Sequence, residues 1–525
     1  MSDIIKSFPN KQSQDLDGIS LKLLKFVRYE VSIPLAHIFN LSFVSGIFPS
    51  KLKINRTVPI FKSGDPSNCD NYRPISLIPT FSKIIEKIAA VTLTNHLQLN
   101  KLLNKNQFGF QRNTSTEHNL LKVFNYIGDS LNRGNYCIGV FLDLRKAFDT
   151  CSHEILLKKL HNLGIQNVAL GWFRSYLTER SQKVDINGTL SDVLSIACGV
   201  FQGSVLGPIL FLCYINDIFD ASSLATFLFA DDTTCLAENQ NLNDLVNYVN
   251  VELNKLAVWF KTNKMAVNVS KTNYIIFHDK GKRVNLDGRE IIFNSNNPDV
   301  TDVDPSLLQK IERIHEDPKL QSFKLLGVYL DEQLTLNKHV DHVAAKLSRL
   351  NRVKHYVSDS SLRKLYFSLF HSHLLYCINI LSCTSQSNLN RISVLQKKAI
   401  RIISRAQYNA HSTPLFLANK VLPFDKLILL HRLLFMHSIA YDYAPLTFAN
   451  TWTKNNTRDT GHDLRNQDFF TMPLVRVDSF RKFPLYALPN EWNRLGDNIR
   501  LQHNRTTFKI ALMDEIISSL NAQMI

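Results

Sequence analysis

The sequence predicts an α/β (α+β) chain of two or three packed units, and three observations carry that reading. Its 525 residues exceed what one small core can serve. Short apolar strands alternate with amphipathic helices from about residue 54 to 330, the pattern of a sheet covered by helices. From about 336 to 445 the periodicity turns wholly helical, so an all-helical unit follows the mixed one.

Taken in order, two apolar-periodic stretches at about 19–30 and 33–45 predict helices that stop near Gly46 and Pro49. INRTVPIF (54–61) predicts a strand, and the turn-rich KSGDPSNCDNYRP follows it. Helices are expected at about 80–103 and 117–131, then a buried strand in the nearly all-apolar CIGVFLDL (137–144). Helical patterns fill about 153–178, with short strands near 182–187 and 193–198. After Gly203 an apolar helix is expected to about 219. ATFLFADDTTCLA then predicts a hairpin with Asp231 and Asp232 at its tip. A long amphipathic helix at about 242–263 precedes strands at 273–277, 289–293 and 324–330. Residues 279–320 are polar and read as an insertion or mobile loop, with NSNNP (294–298) and DVDP (302–305) as breakers. The last 80 residues are mixed, and Asn455, Asn456 and Thr457 mark a linker.

The charge balance narrows the partners. Lys and Arg number 61 against 45 Asp and Glu, a net +16 that suits a polyanion, either nucleic acid or an anionic membrane surface. From Lys338 to Arg405 there are 12 basic residues and two acids, Asp341 and Asp359, so a net +10 sits in about an eighth of the chain. Helices that grip a duplex by its backbone need such a field. No apolar run reaches the ~18 residues of a membrane span; Ile209–Ile215 ends at Asn216 and Asp217. The N-terminus lacks the pattern of a signal peptide. The eight cysteines form no C-x-x-C pair, which excludes a zinc ribbon and a secreted disulfide framework. The chain reads as intracellular, nuclear or cytoplasmic, without a clear import signal. His371, His373, Cys377 and Cys383 do not make a metal site: on a helix the two histidines point about 200° apart.

Two acidic sites stand where the pattern is otherwise apolar. Asp143 ends the strand GVFLD, and Asp231-Asp232 turns FLFADDTTCL. Carboxylates at the ends of buried strands are costly unless a cation neutralises them. Magnesium takes hard oxygen ligands and leaves room for substrate phosphates. Two such ions, ~3.5–4 Å apart, can activate a 3′-hydroxyl and stabilise departing pyrophosphate. Turn aspartates are often merely solvated, so the surrounding residues decide. Those include GVFQGSVLGPILF (199–211), where Gly199, Gly203 and Gly207 with Gln202 and Ser204 feed an apolar helix. Such a turn can present N–H groups and a Gln side chain to a nucleotide.

The order of these pieces resembles a family. D-x-x-x-AFD (143–149), QGSxLGPxLF (202–211), FADD (229–232) and N-x-x-KT (268–272) resemble motifs A to D of reverse transcriptases. LLGVYLD (325–331) resembles the primer-gripping motif, and IFKSGDPSNCDNYRPISL (60–77) and NQFGFQRNTST (106–116) the fingers motifs of the non-LTR, LINE-type, jockey-like branch. The resemblance covers about 15–440, and LPNEWNRL (488–495) extends it. A group II intron enzyme shares the palm motifs but matches SGDPSNCDNYRPISL and EWNRL less well.

The resemblance implies a right-hand polymerase fold with a fingers region (1–135), an antiparallel-sheet palm (136–335), a helical basic thumb (336–450) and a C-terminal region (451–525). It implies an RNA-directed DNA polymerase that takes an RNA template, a DNA primer or target, dNTPs and two magnesium ions, with manganese as an alternative. Asp143, Asp231 and Asp232, with the backbone carbonyl of Leu144, would bind the metals. Phe148 would lie under the deoxyribose and reject a 2′-hydroxyl. Lys62 and Arg73 would hold the triphosphate, Gln202 and Gly203 would line the nascent base pair, and Lys271 would protonate the leaving group. One departure stands out: Phe201 replaces the proline usual before Gln202, which would loosen the turn. The chain starts almost directly at the fingers, with nothing that resembles an upstream endonuclease and no Cys/His knuckle downstream. A catalytically impaired or co-opted RNA-binding remnant is the competing expectation.

Overall fold

The computed structural model describes residues 1–294, 308–314, 321–348, 356–455 and 468–522. Short helices α1 (Ser2–Lys6) and α2 (Leu21–Phe26) lead into α3 (Arg28–Ser45), which ends where Gly46 takes the left-handed conformation. Strands β1 (Ile54–Phe61) and β2 (Tyr72–Leu77) form an antiparallel hairpin. Its long turn is built by Asp65 and Asn68, whose side chains accept the N–H groups of Ser67 and Asp70. Helices α4 (Thr80–Leu99) and α5 (Thr116–Asn132) follow; Ser115 caps α5 by accepting from the His118 N–H.

Strand β3 (Tyr136–Leu142) then enters the centre of the molecule. Helices α6 (His153–Asn162) and α7 (Asn167–Leu177) fill the helical stretch expected there, and Gly164 turns the chain between them at φ +88°. Strands β4 (Arg180–Ile186), β5 (Thr189–Leu190) and β6 (Leu194–Ile196) join the β1–β2 hairpin in a second sheet, with β1 and β4 parallel. The helix expected after Gly203 is α8 (Gly207–Ile215), shorter than the pattern suggested at both ends; Gly203 itself sits in the turn before it at φ +119°. Strands β7 (Ala225–Phe229) and β8 (Asp232–Asn239) make the expected hairpin, and α9 (Leu242–Thr262) follows, capped by Asn241.

After β9 (Asn273–Phe277) come β10 (Ile292–Asn294), β11 (Leu308–Lys310) and β12 (Glu312–Arg313). The described part of the polar stretch is tied down, since the Ile292 N–H donates to Asn250 on α9; NSNNP beyond Asn294 and DVDP lie outside the described residues. The strand expected at 324–330 is a small hairpin, β13 (Phe323–Leu325) and β14 (Val328–Leu330), turned at Leu326 and Gly327. Helix α10 (Asn337–Leu347) opens the helical region, whose later members include Gln386–Ile403 and Phe424–Ala440. The C-terminal region is more helical than expected, with Pro484–Asn493 and Arg505–Ala522. Of the linker residues, Asn456 and Thr457 lie outside the described residues, while Asn455 donates its N–H to the Phe469 carbonyl.

The central sheet runs β12-β9-β3-β8-β7, antiparallel except for β12 with β9. Strand alternation gives it two apolar faces. Ile138, Val140 and Leu142 of β3 pack with α4, α6, α7, α8 and α9. Cys137 and Phe141 face the opposite way, into a core shared by α5, the helices after 336 and the C-terminal helices. An antiparallel palm flanked by helices, a sheet-based fingers region and a helical thumb make up the right-hand polymerase fold the sequence pointed to. Both acids of the basic thumb segment pair internally, Asp341 with Arg391 and Asp359 with Arg405. Among the described residues, no helix is long and apolar enough to cross a membrane.

Candidate active site

Asp143 follows β3 directly, and its backbone is held from the segment that leads into β9, the neighbouring strand of the sheet. Its carbonyl accepts the Asn268 N–H at 2.7 Å, and its N–H donates to Thr272 Oγ1 at 3.2 Å. Thr272 in turn donates that hydroxyl to the Asn268 carbonyl at 3.0 Å. The Asn and Thr of N-x-x-KT are therefore brackets for Asp143. Arg145 donates its N–H to the Ala266 carbonyl, completing an antiparallel bridge between Leu144 and Val267. Because alternate residues of a strand bond to opposite sides, that bridge directs the Leu144 carbonyl toward the β7–β8 hairpin.

Asp231 sits in the two-residue turn of that hairpin, and Asp232 opens β8 opposite Phe229. Burial raises the Asp231 carboxyl above its ordinary range, the Asp143 charge raises it further, and Arg73 and Lys62 pull it down. Asp232 is pushed up to about 6 by burial, then by Asp231 and Asp143. Its side chain is open to solvent at the turn, so the like charges are the sturdier part of that rise. Among the described residues, no three His, Cys, Asp or Glu side chains converge as a ready-made metal cage. The three aspartates share a sheet end and a field. Hard oxygen donors whose like charges raise the proton affinity of Asp231 and Asp232 suit a divalent cation, which would relieve the repulsion.

Asp143 and Asp231 face an open cleft of about 1280 Å³ between the central sheet and the sheet of β1, β2 and β4. Lys62, Arg73, Phe148, Gln202, Gly203 and Lys271 all line it, together with Asp143, Leu144 and Asp231. Asp232 is the one predicted site residue outside that lining. Lys62 lies just past β1 and Arg73 opposite Ile60 on β2, both exposed at the fingers rim. The Phe148 ring stacks on Phe211 at 4.4 Å and meets the edge of Phe110 at 6.0 Å, which fixes the floor. Lys271 ends a single 3-10 turn and stands exposed at the rim.

The glycine turn of 199–207 is welded to its neighbours. The Ser76 N–H donates to the Gln202 carbonyl at 2.8 Å, and a Cβ on Gly203 would lie 2.5 Å from the Ser76 carbonyl oxygen. Ser204 Oγ accepts the Gly207 N–H, so α8 starts from a closed turn. Phe201, where proline was expected, is buried: its ring packs 4.4 Å from the Arg180 guanidinium and edge-on to Tyr176. Its carbonyl accepts both the N–H and the hydroxyl of Ser204. The substitution thus brings its own anchor in place of proline's rigidity.

Several residues of the site carried no role in the sequence reading. Asp149 accepts from the Gln202 amide at 3.3 Å and orients it; burial raises its carboxyl, against the pull of Gln202, Lys146 and Lys62. Glu86 is wholly buried on α4 and accepts from the Val205 N–H at 2.8 Å. Lys146 pairs with Asp70 of the fingers turn at 2.8 Å, linking the fingers to the segment after Asp143. The signal for Glu86 was an acid on the apolar face of a helix. Gln107 lay within a quoted motif but was given no part to play.

The comparisons with known proteins match this geometry. Residues 60–330, half the chain, match the family model described as "Reverse transcriptase (RNA-dependent DNA polymerase)". Over 427 residues the chain is 28% identical to the RNA-directed DNA polymerase from mobile element jockey of Drosophila melanogaster, covering 78% of this chain and 44% of that one. Two more Drosophila melanogaster relatives are similar: the probable RNA-directed DNA polymerases from transposon BS (28%, covering 79% and 45%) and from transposon X-element (27%, covering 79% and 44%). The chain spans less than half the length of these curated relatives. Among solved structures, telomerase from Candida albicans overlaps at TM-score 0.35 and 13% identity, over 73% of this chain and 65% of that one. That overlap is too slight to bear on the fold, which rests on the sheet order and the family match.

Proposed function

We propose that this chain, which belongs to the reverse transcriptase (RNA-dependent DNA polymerase) family, copies an RNA template into DNA by adding dNTPs to a DNA primer or nicked target. The observation that carries the proposal is one cleft that gathers acids at the sheet end and cations at the fingers rim, on either side of a stacked aromatic floor. Asp143 and Asp231, with Asp232 and the Leu144 carbonyl, would hold two magnesium ions, or manganese. When bound, such ions lower the pKa of the attacking hydroxyl and neutralise charge on the departing pyrophosphate.

The remaining work falls to this chain's own residues. Lys62 and Arg73 reach the field of Asp231 from across the cleft, so a triphosphate between them would meet cations on one side. Arg73 can clamp phosphate oxygens bidentately, while Lys62 supplies a point charge. Phe148, backed by Phe211, presents a ring that cannot yield to a 2′-hydroxyl. Asp149 holds the Gln202 amide, and Gly203 lines the cleft beside it, where the two would border the nascent base pair. Lys271, on the opposite rim, donates a proton to the leaving pyrophosphate in this reading. The basic helices after 336 grip the template–primer duplex through its phosphates. We assign 1–135 to fingers, 136–335 to palm, 336–450 to thumb and 451–525 to a C-terminal region.

The test is primer extension on an RNA template with dNTPs and magnesium, beside Asp143→Asn and Asp231→Asn. Each substitution is expected to cut synthesis by at least ~10²–10³-fold, the loss typical when a group that stabilises developing charge is removed. Duplex binding should survive. Extension equal in the variants and the wild type would refute the assignment. Tight duplex binding without extension by the wild type would favour the RNA-binding remnant.

A further inference from the structure

The loop between β7 and β8 contains only Ala230 and Asp231, because Phe229 pairs with Asp232. Ala230 has φ +59°, which hairpins of this length usually assign to glycine. A side chain in that conformation is strained and persists only where its surroundings fix it.

Its surroundings are a segment from the fingers motif NQFGF. Residues 106–108 run along the edge of β7, parallel to it: Leu228 donates its N–H to the Asn106 carbonyl at 2.9 Å, and Phe108 donates to the Leu228 carbonyl at 2.7 Å. Between them the Gln107 side chain is buried, 3% exposed. Its Oε1 accepts the Ala230 N–H at 3.0 Å and the Gly109 N–H at 2.8 Å, and its Nε2 donates to the Ala230 carbonyl at 3.3 Å. One amide therefore holds both backbone groups of the strained residue that precedes Asp231. Gly109 completes the contact by lacking a side chain, since a Cβ there would lie 2.2 Å from the Ala230 nitrogen.

We infer that Gln107 is a positioning residue that fixes the direction in which the Asp231 carboxylate leaves the turn. A buried glutamine that satisfies a nearby turn is an ordinary structural device. What sets this one apart is that the two peptide planes it fixes flank Ala230, and the second of them joins Ala230 to Asp231, whose side chain must point into the cleft. The Gly109 N–H shares the Oε1 and ties the amide to its own segment, and the strain at Ala230 gives the turn a reason to relax once the clamp is lost. The inference rests on the polymerase reading for the task of Asp231, and on the hydrogen bonds alone for the clamp.

The test uses the full chain as wild type, Gln107→Met, Ala230→Gly and the double variant. Amide exchange of a peptide spanning 225–236 reports the clamp, and steady-state extension reports its consequence. Gln107→Met should speed exchange of that peptide while distant peptides keep their protection. It should lower kcat about 10- to 100-fold, the cost of a misplacement near 1 Å, with KM for dNTP and duplex affinity within about threefold. Ala230→Gly, which removes the strain, should recover part of the lost kcat in the Gln107→Met background. Unchanged exchange in the peptide, or kcat within twofold of wild type, would overturn the inference. So would a loss of kcat that tracks a general loss of protection and is not rescued by Ala230→Gly. A wild-type chain that makes no DNA would sink the polymerase reading instead, and the exchange result would then decide the clamp by itself.

Discussion

On one side of the central sheet the cleft gathers Asp143, Asp149 and Asp231, with Asp232 next to it at the hairpin; the helical side holds His118, His339 and His431. Ionisable groups are strongly perturbed in both places. Asp232 is raised to about 6 by burial and then by two neighbouring acids. The three histidines are each lowered to about 4, by burial first and by nearby cations after it. The difference lies in what surrounds them. The acids border about 1280 Å³ of open cleft with Lys62 and Arg73 at its far rim, so an exogenous cation and a phosphate can enter. Two of the histidines pack against rings: His118 lies 5.8 Å from Phe435 and 5.7 Å from Phe448, and His339 lies 6.5 Å from Tyr329. A perturbed group marks function where like charges face open space, and marks packing where burial leaves no room for a ligand.

The largest effect that would break this comparison is expected at Gly203. Gly203→Ala places a Cβ against the Ser76 carbonyl at a φ of +119°. It should cost ~1–3 kcal/mol of stability and, by shifting the turn that carries Gln202, about 10- to 100-fold in nucleotide addition. Extension kinetics and a denaturant melt check both halves. Phe201→Pro comes next. It restores the residue usual before Gln202 but strips the ring from Arg180 and Tyr176. A desolvated cation–π contact contributes about 2 kcal/mol, so the variant should melt lower by about that much and extend primers no faster than wild type. Clear activation would show that the turn is crippled as it stands.

The smallest effect is in the pH profile, where the two sides have opposite signs. A histidine lowered to about 4 binds its proton more readily when unfolded, so it favours folding above 6.5 and loses that contribution as pH falls toward 4. Asp232, raised to about 6, behaves in reverse: its contribution is present below 3.8 and is lost as pH rises through 6. His339, whose two ring nitrogens are buried without a hydrogen-bond partner, isolates the first term. His339→Leu should flatten the fall in melting temperature between pH 6.5 and 4, and Asp232→Asn should steepen the rise over the same window. Identical profiles in all three proteins would remove the distinction between the two sides.

How much of this was legible in sequence depended on range. The β3 strand announced itself because it is apolar on both faces, and Asp143 stood out at its end. The Asp231-Asp232 hairpin followed from alternation and a short turn. The packing of the C-terminal helices did not follow, because Pro489 interrupts the helical pattern of Pro484–Asn493 and its partners lie on α5, far away in the chain. Asn132 accepts from the Arg476 N–H and donates to the Leu474 carbonyl, a contact across more than 300 residues that no local pattern records. In the site, residue types were readable but brackets were not. Asn268, Thr272, Asp149 and Gln107 act on backbone or side-chain groups elsewhere, so their parts emerge only once the strands are side by side. Phe201 looked like a defect while the position of Arg180 was unknown.

Magnesium-dependent melting tests most directly the claim that charge left uncancelled in the cleft is there to receive a cation. Wild type, Asp231→Asn and His339→Leu would be melted at pH 7.5 over a magnesium series, with matched ionic strength to hold screening constant. Without magnesium, Asp231→Asn should melt above wild type, because it removes a buried like charge; with magnesium, wild type and His339→Leu should rise and Asp231→Asn should rise less. Equal shifts in all three proteins, or none in the wild type, would contradict the account.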